Sequence, residues 1–539
     1  MAEVIKVSNL NARGRSRRPE SRASNSIRPL SFPPLPIYPG KLPGGVRTLG
    51  IESMKTVCSW GYFAAIVAVL ATGRPSFAET KAQLQAAKEL IAKGEFREAE
   101  KLLKPAVDPA KPAASPAAVT LEILDRTRAD FPHDEAEITK QVRDSIPDVK
   151  ETEIESWRDA GVLQSKQIDG EHRYFRNAAA NLFRLSKEAR ERREKTPAEE
   201  KRFDLNGLIA ELNTIAKAAD TPAIYPVKHH VTYTLTLKEG NPRLKPGAKV
   251  RAWLPFPQEY RIQQTDVKLL KSEPNDAVVA PPETPQRTIY FEQLVDDKGT
   301  LPKFVAEYEF TTCAYVPTLD LELVKPYDDE SDEYIEFTSS RAPHIVFTPE
   351  VKKLVKEIVG DETNPLKKAQ LIFAWVSENL PWVSEMEYST IPSLSKKGLA
   401  ARCGDCGVQN TTLITLCRAA GVPARWQSGF GTKPGEEGMH DWAEIYVEPW
   451  GWLPADASYG TRKSDDPAVR DFFCGHMDPY RLIVNLDYGR ELHPPKTSFR
   501  SEPIDFQRGE VEVDGHNLYF NDWEWDLQVK STPPVKEKK

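Results

Sequence analysis

The sequence has few cysteines and no excess of positive charge. Six cysteines occur among 539 residues, and the formal net charge is −6. Residues 1–53 carry nine Lys/Arg against three Glu, so the remainder of the chain has a net charge of −12. Such an acidic body argues against a nucleic-acid partner, because binding to phosphates depends on clustered positive charge.

Long apolar runs are also scarce, and the segment from Val57 to Thr72 is too short for a comfortable membrane span. Lys55 precedes this segment, and a small-x-small sequence ending at Ala78 follows it. The order of basic start, apolar middle and cleavage site predicts a secretory signal peptide over residues 54–78. A membrane anchor with a short basic tail is the alternative interpretation.

The predicted signal peptide begins at an internal methionine. We therefore expect Met54 to be the true start, and residues 1–53 to be an upstream translation artefact or a disordered leader. The mature chain would begin near Glu79 and be periplasmic or extracellular, with no stable membrane insertion after cleavage. It would keep five cysteines, an odd number that leaves at least one thiol unpaired.

Residues 79–220 predict a helical region. A tetratricopeptide-like helical hairpin occurs at 80–104, without a clear second copy to complete a repeat array. Over residues 146–185, a helix is followed by a hairpin that turns at Asp169-Gly170, which is typical of a winged helix. Since DNA binding does not fit an exported acidic protein, we expect a small packing or docking module.

The hydrophobic period then changes to that of β-strands. Apolar and polar residues alternate over 231–237, and further short apolar segments with turn-rich gaps follow. Residues 221–326 therefore predict an all-β, sandwich-like domain. The acidic run at 327–334 lacks the EF-hand ligand pattern and its glycine, which favours a solvated linker over a calcium site.

A helical period returns within residues 340–490, where Thr348 and Gly360 mark the start and end of one amphipathic helix. A later helix begins at the cysteine cluster and buries Cys417, and two strands follow it. We predict residues 491–539 to be a C-terminal extension. The expected fold class is α+β: a helical region, a β-sandwich-like domain, and helices packed on an antiparallel sheet.

Cys406 is the strongest candidate nucleophile. It follows the turn Gly404-Asp405 and begins a helix, and the positive end of a helix macrodipole favours a thiolate and a lowered pKa. A nucleophilic thiol also needs a base and a group that orients the base. His440 and Asp456 lie on two successive strands, where they can be cross-strand neighbours.

These residues stand in motifs that resemble the transglutaminase-like superfamily of papain-related fold. "GDC…LCRAAGVPAR" precedes "HDWAEIYVEPWGWLPADASYG", with Arg418 twelve residues after Cys406 and Asp456 sixteen after His440. These motifs, taken together and in this order, make the resemblance cover about residues 345–460. The resemblance implies a papain-like transglutaminase core, with Cys406 as nucleophile, His440 as general base and acid, and Asp456 as the residue that orients His440.

The C-x-x-C spacing of Cys403 and Cys406 allows other interpretations. A structural zinc site needs four ligands, for which Cys474 and His476 could supply a second pair. A redox pair would need a thioredoxin-like βαβ context, which is missing. A regulatory Cys403–Cys406 disulfide stays open, although we expect Cys403 to be a small buried hydrophobe. We predict neither a metal nor another cofactor.

The predicted function is that of an exported cysteine acyl-transfer enzyme acting on a protein or peptide, with hydrolysis preferred over glutamine transamidation. The alternative from another class is a non-catalytic module that binds a peptide or partner. The backbone N–H of Cys406 is the expected first oxyanion donor. Trp382 and Tyr388 are candidates for the second donor, or for plain packing. The sequence leaves the substrate and the oligomeric state undetermined.

Overall fold

The computed structural model describes residues 77–108, 115–194 and 203–535, with side chains from Thr80 onward. Helices and antiparallel sheets both occur, which confirms the predicted α+β class. The leader at 1–53 and nearly all of the signal peptide at 54–78 lie outside the described residues, so both stay predictions. Among the described residues, no helix is both long enough and apolar enough to span a bilayer.

The N-terminal helical region has its own apolar core, which includes Phe96, Leu124, Trp157 and Leu182. The predicted hairpin is present, and its turn residues Asp169-Gly170 have positive φ angles of 52° and 90°. The elements are α1 (Phe77–Ala92), α2 (Phe96–Leu103), α3 (Pro116–Asp130), α4 (Glu135–Arg143), α5 (Glu151–Asp159), β1 (Ser165–Ile168), β2 (Glu171–Tyr174), α6 (Ala178–Leu185), α7 (Lys187–Glu191) and α8 (Leu205–Ala216).

Two antiparallel sheets form the predicted β-sandwich-like part. Along β3 (Ala223–Leu237), the residues from Val231 to Leu237 alternate between buried and more accessible positions, as the sequence predicts. The first six strands of the β-sandwich-like part are β3 (Ala223–Leu237), β4 (Lys249–Pro255), β5 (Gln264–Glu273), β6 (Val278–Val279), β7 (Thr288–Leu294) and β8 (Lys303–Tyr315).

Three strands from the end of the chain complete these sheets. They are β13 (Glu510–Val513), β14 (His516–Leu518) and β15 (Trp523–Thr532). One sheet has the order β15-β3-β8-β5 and the other β14-β13-β4-β7-β6. The segment that the sequence predicts as a C-terminal extension therefore pairs with strands found about 260 to 300 residues earlier, which a local sequence pattern cannot reveal.

The region between β8 and β13 packs helices on a sheet of order β11-β10-β9-β12. Its helices are α9 (Asp332–Thr338), α10 (Pro349–Val359), α11 (Pro365–Asn379), α12 (Leu394–Ala401), α13 (Cys406–Ala419) and α14 (Pro467–Arg470). Its strands are β9 (Ala424–Gly431), β10 (Gly438–Val447), β11 (Gly451–Ala455) and β12 (Arg481–Asn485).

Local sequence signals account for α13, the helix that begins at Cys406. The side chain of Asp405 caps α13 by accepting a hydrogen bond from the backbone N–H of Val408 at 3.1 Å. Residues 407–418 of α13 are buried between the other helices and the sheet, and Cys417 is a core residue as predicted. Cys406, the first residue of α13, is thereby placed at one end of a fully packed helix.

Candidate active site

Cys406 is held at the start of α13 by the chain on both sides of it. Two residues earlier, Gly404 pairs with the segment after α11: its N–H donates to Pro381, and its carbonyl accepts from Val383 at 3.1 Å. One residue later, a Cβ in place of the Gly407 hydrogen would overlap the hydroxyl of Tyr388. Glycine at 407 therefore permits the close approach of Tyr388 to the helix start.

His440 and Asp456 meet across neighbouring strands. β10 and β11 pair in a register that sets Ala443 opposite Ala455, so Asp456 follows directly after the paired residues. Nε2 of His440 donates to Oδ2 of Asp456 at 2.7 Å. With Nε2 engaged in this way, Nδ1 is the ring nitrogen available to a proton on a neighbouring group.

Asp456 is buried and ionised. Burial alone would raise its pKa, but its interactions with His440 and Arg481, together with a hydrogen bond from Ser458, hold the pKa well below its usual range. Nη1 of Arg481 lies 2.8 Å from the same Oδ2 that accepts from His440. An ionised Asp456 is an acceptor only, which fixes the tautomer of His440.

The face of the His440 ring also makes a stacking contact. Tyr459 stacks on it with ring centroids 4.7 Å apart, and the ammonium of Lys433 lies over the Tyr459 ring. Burial lowers the pKa of His440; Asp456 opposes this effect, and the charges of Arg481 and Lys433 reinforce it. The imidazole is therefore oriented and largely neutral at neutral pH, as a general base requires.

The thiol of Cys406 points to a different partner. Its S–H donates to Oδ2 of Asp441 at 3.3 Å, and within the part of the chain that the structure describes no hydrogen bond joins Cys406 to His440. Burial, then the charges of Asp441 and Asp405, raise the pKa of Cys406 well above its usual value. The pKa lowering predicted from the helix dipole is wrong here, because these effects outweigh a partial charge of about half a unit at the helix end.

The two candidate oxyanion residues have different surroundings. The hydroxyl of Tyr388 lies 2.9 Å from Oδ2 of Asp405 and 3.0 Å from Oδ2 of Asp441, beside the start of α13. The backbone of Trp382 bridges to Gly404, but the residue is 43% exposed and its indole packs under the guanidinium of Arg184. The structure thus brings the Tyr388 side chain, rather than that of Trp382, into hydrogen-bond contact with the carboxyls around Cys406.

The remaining cysteines are free thiols in the described residues, Cys403 included. Cys403 is buried, as expected for a small apolar residue. The ring nitrogens of His476, which the zinc alternative would need, lie within hydrogen-bond distance of the carbonyls of Phe472 and Pro317. Within the described ranges, no group of three or more His, Cys, Asp or Glu side chains is arranged to hold a metal ion.

Sequence reasoning missed three residues of this site. Asp441 directly follows His440, but its position in the sequence does not indicate that its side chain contacts the sulfur of Cys406. Arg481 begins β12, beyond the quoted motifs, and Gln507 donates from the C-terminal segment to Oδ1 of Asp441 at 2.8 Å. Such contacts between distant segments leave no mark in a single sequence.

A family model identifies the region that carries these residues. Residues 352–457 match the transglutaminase-like superfamily. The chain contains a transglutaminase-like domain. This confirms the resemblance seen in the sequence, and the matched range spans Cys406, His440 and Asp456.

Two bacterial relatives are similar to parts of the chain. An uncharacterized protein of Haemophilus influenzae is 28% identical over 220 residues, which cover 33% of this chain and 56% of the relative. The uncharacterized protein YebA of Bacillus subtilis is 25% identical over 150 residues, which cover 24% of this chain and 19% of YebA. The chain thus spans about half the length of the first relative and about a fifth of the second.

Solved structures with partial likeness include a candidate cysteine protease from Cytophaga hutchinsonii. The TM-score is 0.39 at 15% identity, over 58% of this chain and 92% of the other. The periplasmic domain of TgpA from Pseudomonas aeruginosa gives a TM-score of 0.23 at 14% identity, over 47% of this chain and 91% of the other. The likeness to the transglutaminase-like superfamily rests on the sequence match over residues 352–457.

Proposed function

We propose that the protein is an exported cysteine acyl-transfer enzyme in which Cys406, His440 and Asp456 form the catalytic triad. The observation that carries the proposal is the 2.7 Å hydrogen bond between His440 and Asp456, inside a transglutaminase-like domain whose buried helix begins at Cys406. The signal-peptide pattern of residues 54–78 supports export. N-terminal sequencing of protein from its native envelope tests that part, with a start near Glu79 expected.

In the proposed reaction, the Cys406 side chain turns from Asp441 toward Nδ1 of His440. The S–H bond breaks, the proton moves to Nδ1, and the electron pair stays on sulfur. The thiolate adds to the carbonyl carbon of an amide. The backbone N–H of Cys406 donates a hydrogen bond to the oxyanion that forms. The C–N bond then breaks as the amine leaves with the proton from His440, and a thioester remains on sulfur.

Water or a second amine can resolve this thioester, and we propose hydrolysis as the main outcome. An amine channel lined by tryptophans would favour transfer, because it would shield the thioester from water. Trp426, Trp442 and Trp452 are buried instead, and Trp450 packs against the same core. These rings therefore fill the interior of the domain, which supports hydrolysis by a peptidase or amidase over a transglutaminase activity.

A binding module without catalysis is the competing proposal from another class. It would leave unexplained why an ionised carboxylate, doubly held by Arg481 and His440, fixes one tautomer of a buried imidazole. Nothing in packing alone requires that arrangement, whereas a general base does. We propose a protein or peptide as the substrate, whose amide bonds would supply the scissile group.

A pair of cysteine variants tests the proposal. The purified protein is offered mixed peptides, including glutamine-containing ones, with excess primary amine, and products are identified by mass. Cys406→Ala should abolish both free-acid and amine products, because the nucleophile is lost, while Cys403→Ala should retain most of the turnover. Activity that survives in Cys406→Ala would overturn the triad, and predominant amine adduct would make the protein a transglutaminase in activity.

A further inference from the structure

Two arginines of the N-terminal helical region carry positive charges that no carboxylate balances. Arg184 lies in the last turn of α6, and Arg193 follows α7. Within the part of the chain that the structure describes, neither guanidinium forms an ion pair with a carboxylate. Arg192, by contrast, pairs with Glu153. In a chain with an excess of acidic residues, two unbalanced guanidinium groups at one place indicate a site for an anion.

Arg184 is held in place by uncharged contacts. Its Nη1 donates to Oδ1 of Asn181 at 3.2 Å, and the same oxygen accepts from the N–H of Ser384. Its guanidinium lies over the indole of Trp382, 4.7 Å from the ring centroid. Because a guanidinium has several N–H donors and this contact to Asn181 uses one of them, the positioned side chain keeps donors for a ligand.

Arg193 adds a second positive charge beside the first. Its Nε is buried without a hydrogen-bond partner among the described residues, and its guanidinium lies over the ring of Phe183, 4.6 Å from the centroid. Burial, and then the charge of Arg193, lower the pKa of Arg184. The two charges are therefore close enough to repel each other, and a bound anion would offset that repulsion.

Trp382 connects these arginines to the proposed nucleophile. Its backbone pairs with Gly404 in parallel fashion, so the two Cα atoms lie about 5 Å apart, and Gly404 precedes Cys406 by two residues. Val383 is buried and Trp382 is exposed, so the indole points away from the core. Since an extended peptide advances about 3.3 Å per residue, a group bound at Arg184 lies roughly three or four residues from a scissile bond at Cys406.

We propose that Arg184 and Arg193, together with Trp382, form a subsite that binds a carboxylate of the peptide substrate. The indole fixes the plane of the Arg184 guanidinium, whose N–H edge can then donate to both carboxylate oxygens. The carboxylate belongs either to an acidic side chain or to the C-terminus of the peptide. The inference rests on the proposed function, because it assigns a specificity to that reaction.

Capture of peptides by the full-length Cys406→Ala variant tests the subsite without turnover. The immobilised protein is offered equimolar pools of octapeptides that have Glu or Gln at one fixed position and no other acidic residue, and bound peptides are identified by mass. Amidated and free C-termini distinguish a side chain from a terminal carboxylate. We expect carboxylate-bearing peptides to be enriched about tenfold over their neutral counterparts, the scale of a charge-assisted hydrogen bond.

Further substitutions in the same protein assign the effect to Arg184. Arg184→Gln should remove the enrichment, and Arg184→Lys should reduce it, because an ammonium keeps the charge but lacks the planar fork. Lys187→Gln is the matched control: it removes a positive charge from an exposed position of α7 and should leave the enrichment intact. Absence of enrichment, its survival in Arg184→Gln, or its equal loss in Lys187→Gln would overturn the proposal.

The capture result and the proposed function can fail separately. If Cys406→Ala kept its activity, the proposed function would fail, and a carboxylate preference that depends on Arg184 would still establish the subsite. Circular dichroism and urea unfolding show whether each variant is folded. Arg193→Gln is a second test that leaves the contact between Arg184 and Asn181 in place, and it should weaken the enrichment about threefold, as loss of one nearby charge does. Unchanged enrichment in Arg193→Gln would remove Arg193 from the subsite.

Discussion

At the scale of single residues, the charge of Arg481 affects the pKa of His440, and its guanidinium contacts the carboxylate of Asp456. The side chain is 1% exposed and lies between two carboxylates, with Asp456 at 2.8 Å and Asp478 at 2.9 Å. Its charge stabilises the ionised form of Asp456 and lowers the pKa of His440. Arg481 therefore holds the carboxylate that accepts the hydrogen bond from His440.

We predict that Arg481→Gln moves the acidic limb of kcat/KM to higher pH. Loss of the positive charge raises the pKa of His440, so a larger share of the imidazole is protonated and unable to act as base. We expect a displacement of about half to one pH unit, and a smaller one in Arg481→Lys, which keeps the charge. The measurement is the pH–rate profile of each variant; a lowered rate with an unmoved limb would mean a purely structural role.

At the scale of elements, the N-terminal helical region holds the segment between α11 and α12. Asn181 of α6 is completely buried and pairs twice with the backbone of Ser384: its amide donates to the carbonyl at 2.8 Å, and its oxygen accepts from the N–H at 2.9 Å. Asp130, also completely buried, accepts from the hydroxyl of Thr390 at 2.9 Å. Between these two anchors lies Tyr388, the residue that reaches the start of α13.

We predict that Asn181→Ala lowers kcat/KM by about tenfold, because Ser384 would lose both partners and Tyr388 would be placed less accurately. The unpaired backbone groups should also cost roughly 1–3 kcal/mol of unfolding free energy. Peptide-substrate kinetics and hydrogen exchange of residues 381–391 measure the two effects.

Asn177→Ala is the matched control for this prediction. Asn177 precedes the same helix α6, is exposed, and makes no capping hydrogen bond with its side chain. It should leave both the rate and the exchange unchanged. Identical behaviour of the two variants would show that the N-terminal region does not position this segment.

At the scale of the whole molecule, the sheets that flank the transglutaminase-like domain are built from both sides of it in the chain. β15 pairs with β3 from Trp523 opposite Leu237 to Thr532 opposite Lys228, and β13 lies between β14 and β4. The segment that leads to β13 carries Gln507 and Asp505 to the candidate active site. The C-terminal strands therefore stabilise the sandwich and also fix groups that contact Asp441.

We predict that Trp523→Ala, at the start of β15, destabilises the protein by about 3–5 kcal/mol, as deletion of a buried indole typically does. Trp523 is 2% exposed, packs against Phe520, and donates from its indole N–H to Leu518. Glu524→Ala, at the adjacent exposed position of the strand, should change the unfolding free energy by less than about 0.5 kcal/mol. Urea unfolding compares the two, and equal effects would mean that β15 adds little to the sandwich.

The sequence by itself determined the features that depend on neighbours along the chain. The turn at Gly404-Asp405 and the apolar residues that follow it place Cys406 at a helix start, and the short connection between β10 and β11 brings His440 to Asp456. Helix caps and strand alternation are local, so a single sequence displays them. The same is true of the hairpin at Asp169-Gly170 and of Cys417 in the core.

Only the tertiary structure decided the state of the nucleophile. The protonation of Cys406 depends on burial and on Asp441 and Asp405, and these carboxyls are contacted by Tyr388 and Gln507 from two other segments of the chain. The sequence predicts the effect of the helix dipole on the pKa of Cys406. It does not predict the larger, opposite effect of the buried carboxyls. A pKa is set by every charge and every loss of solvent within a few ångströms, and those distances exist only once the chain has folded.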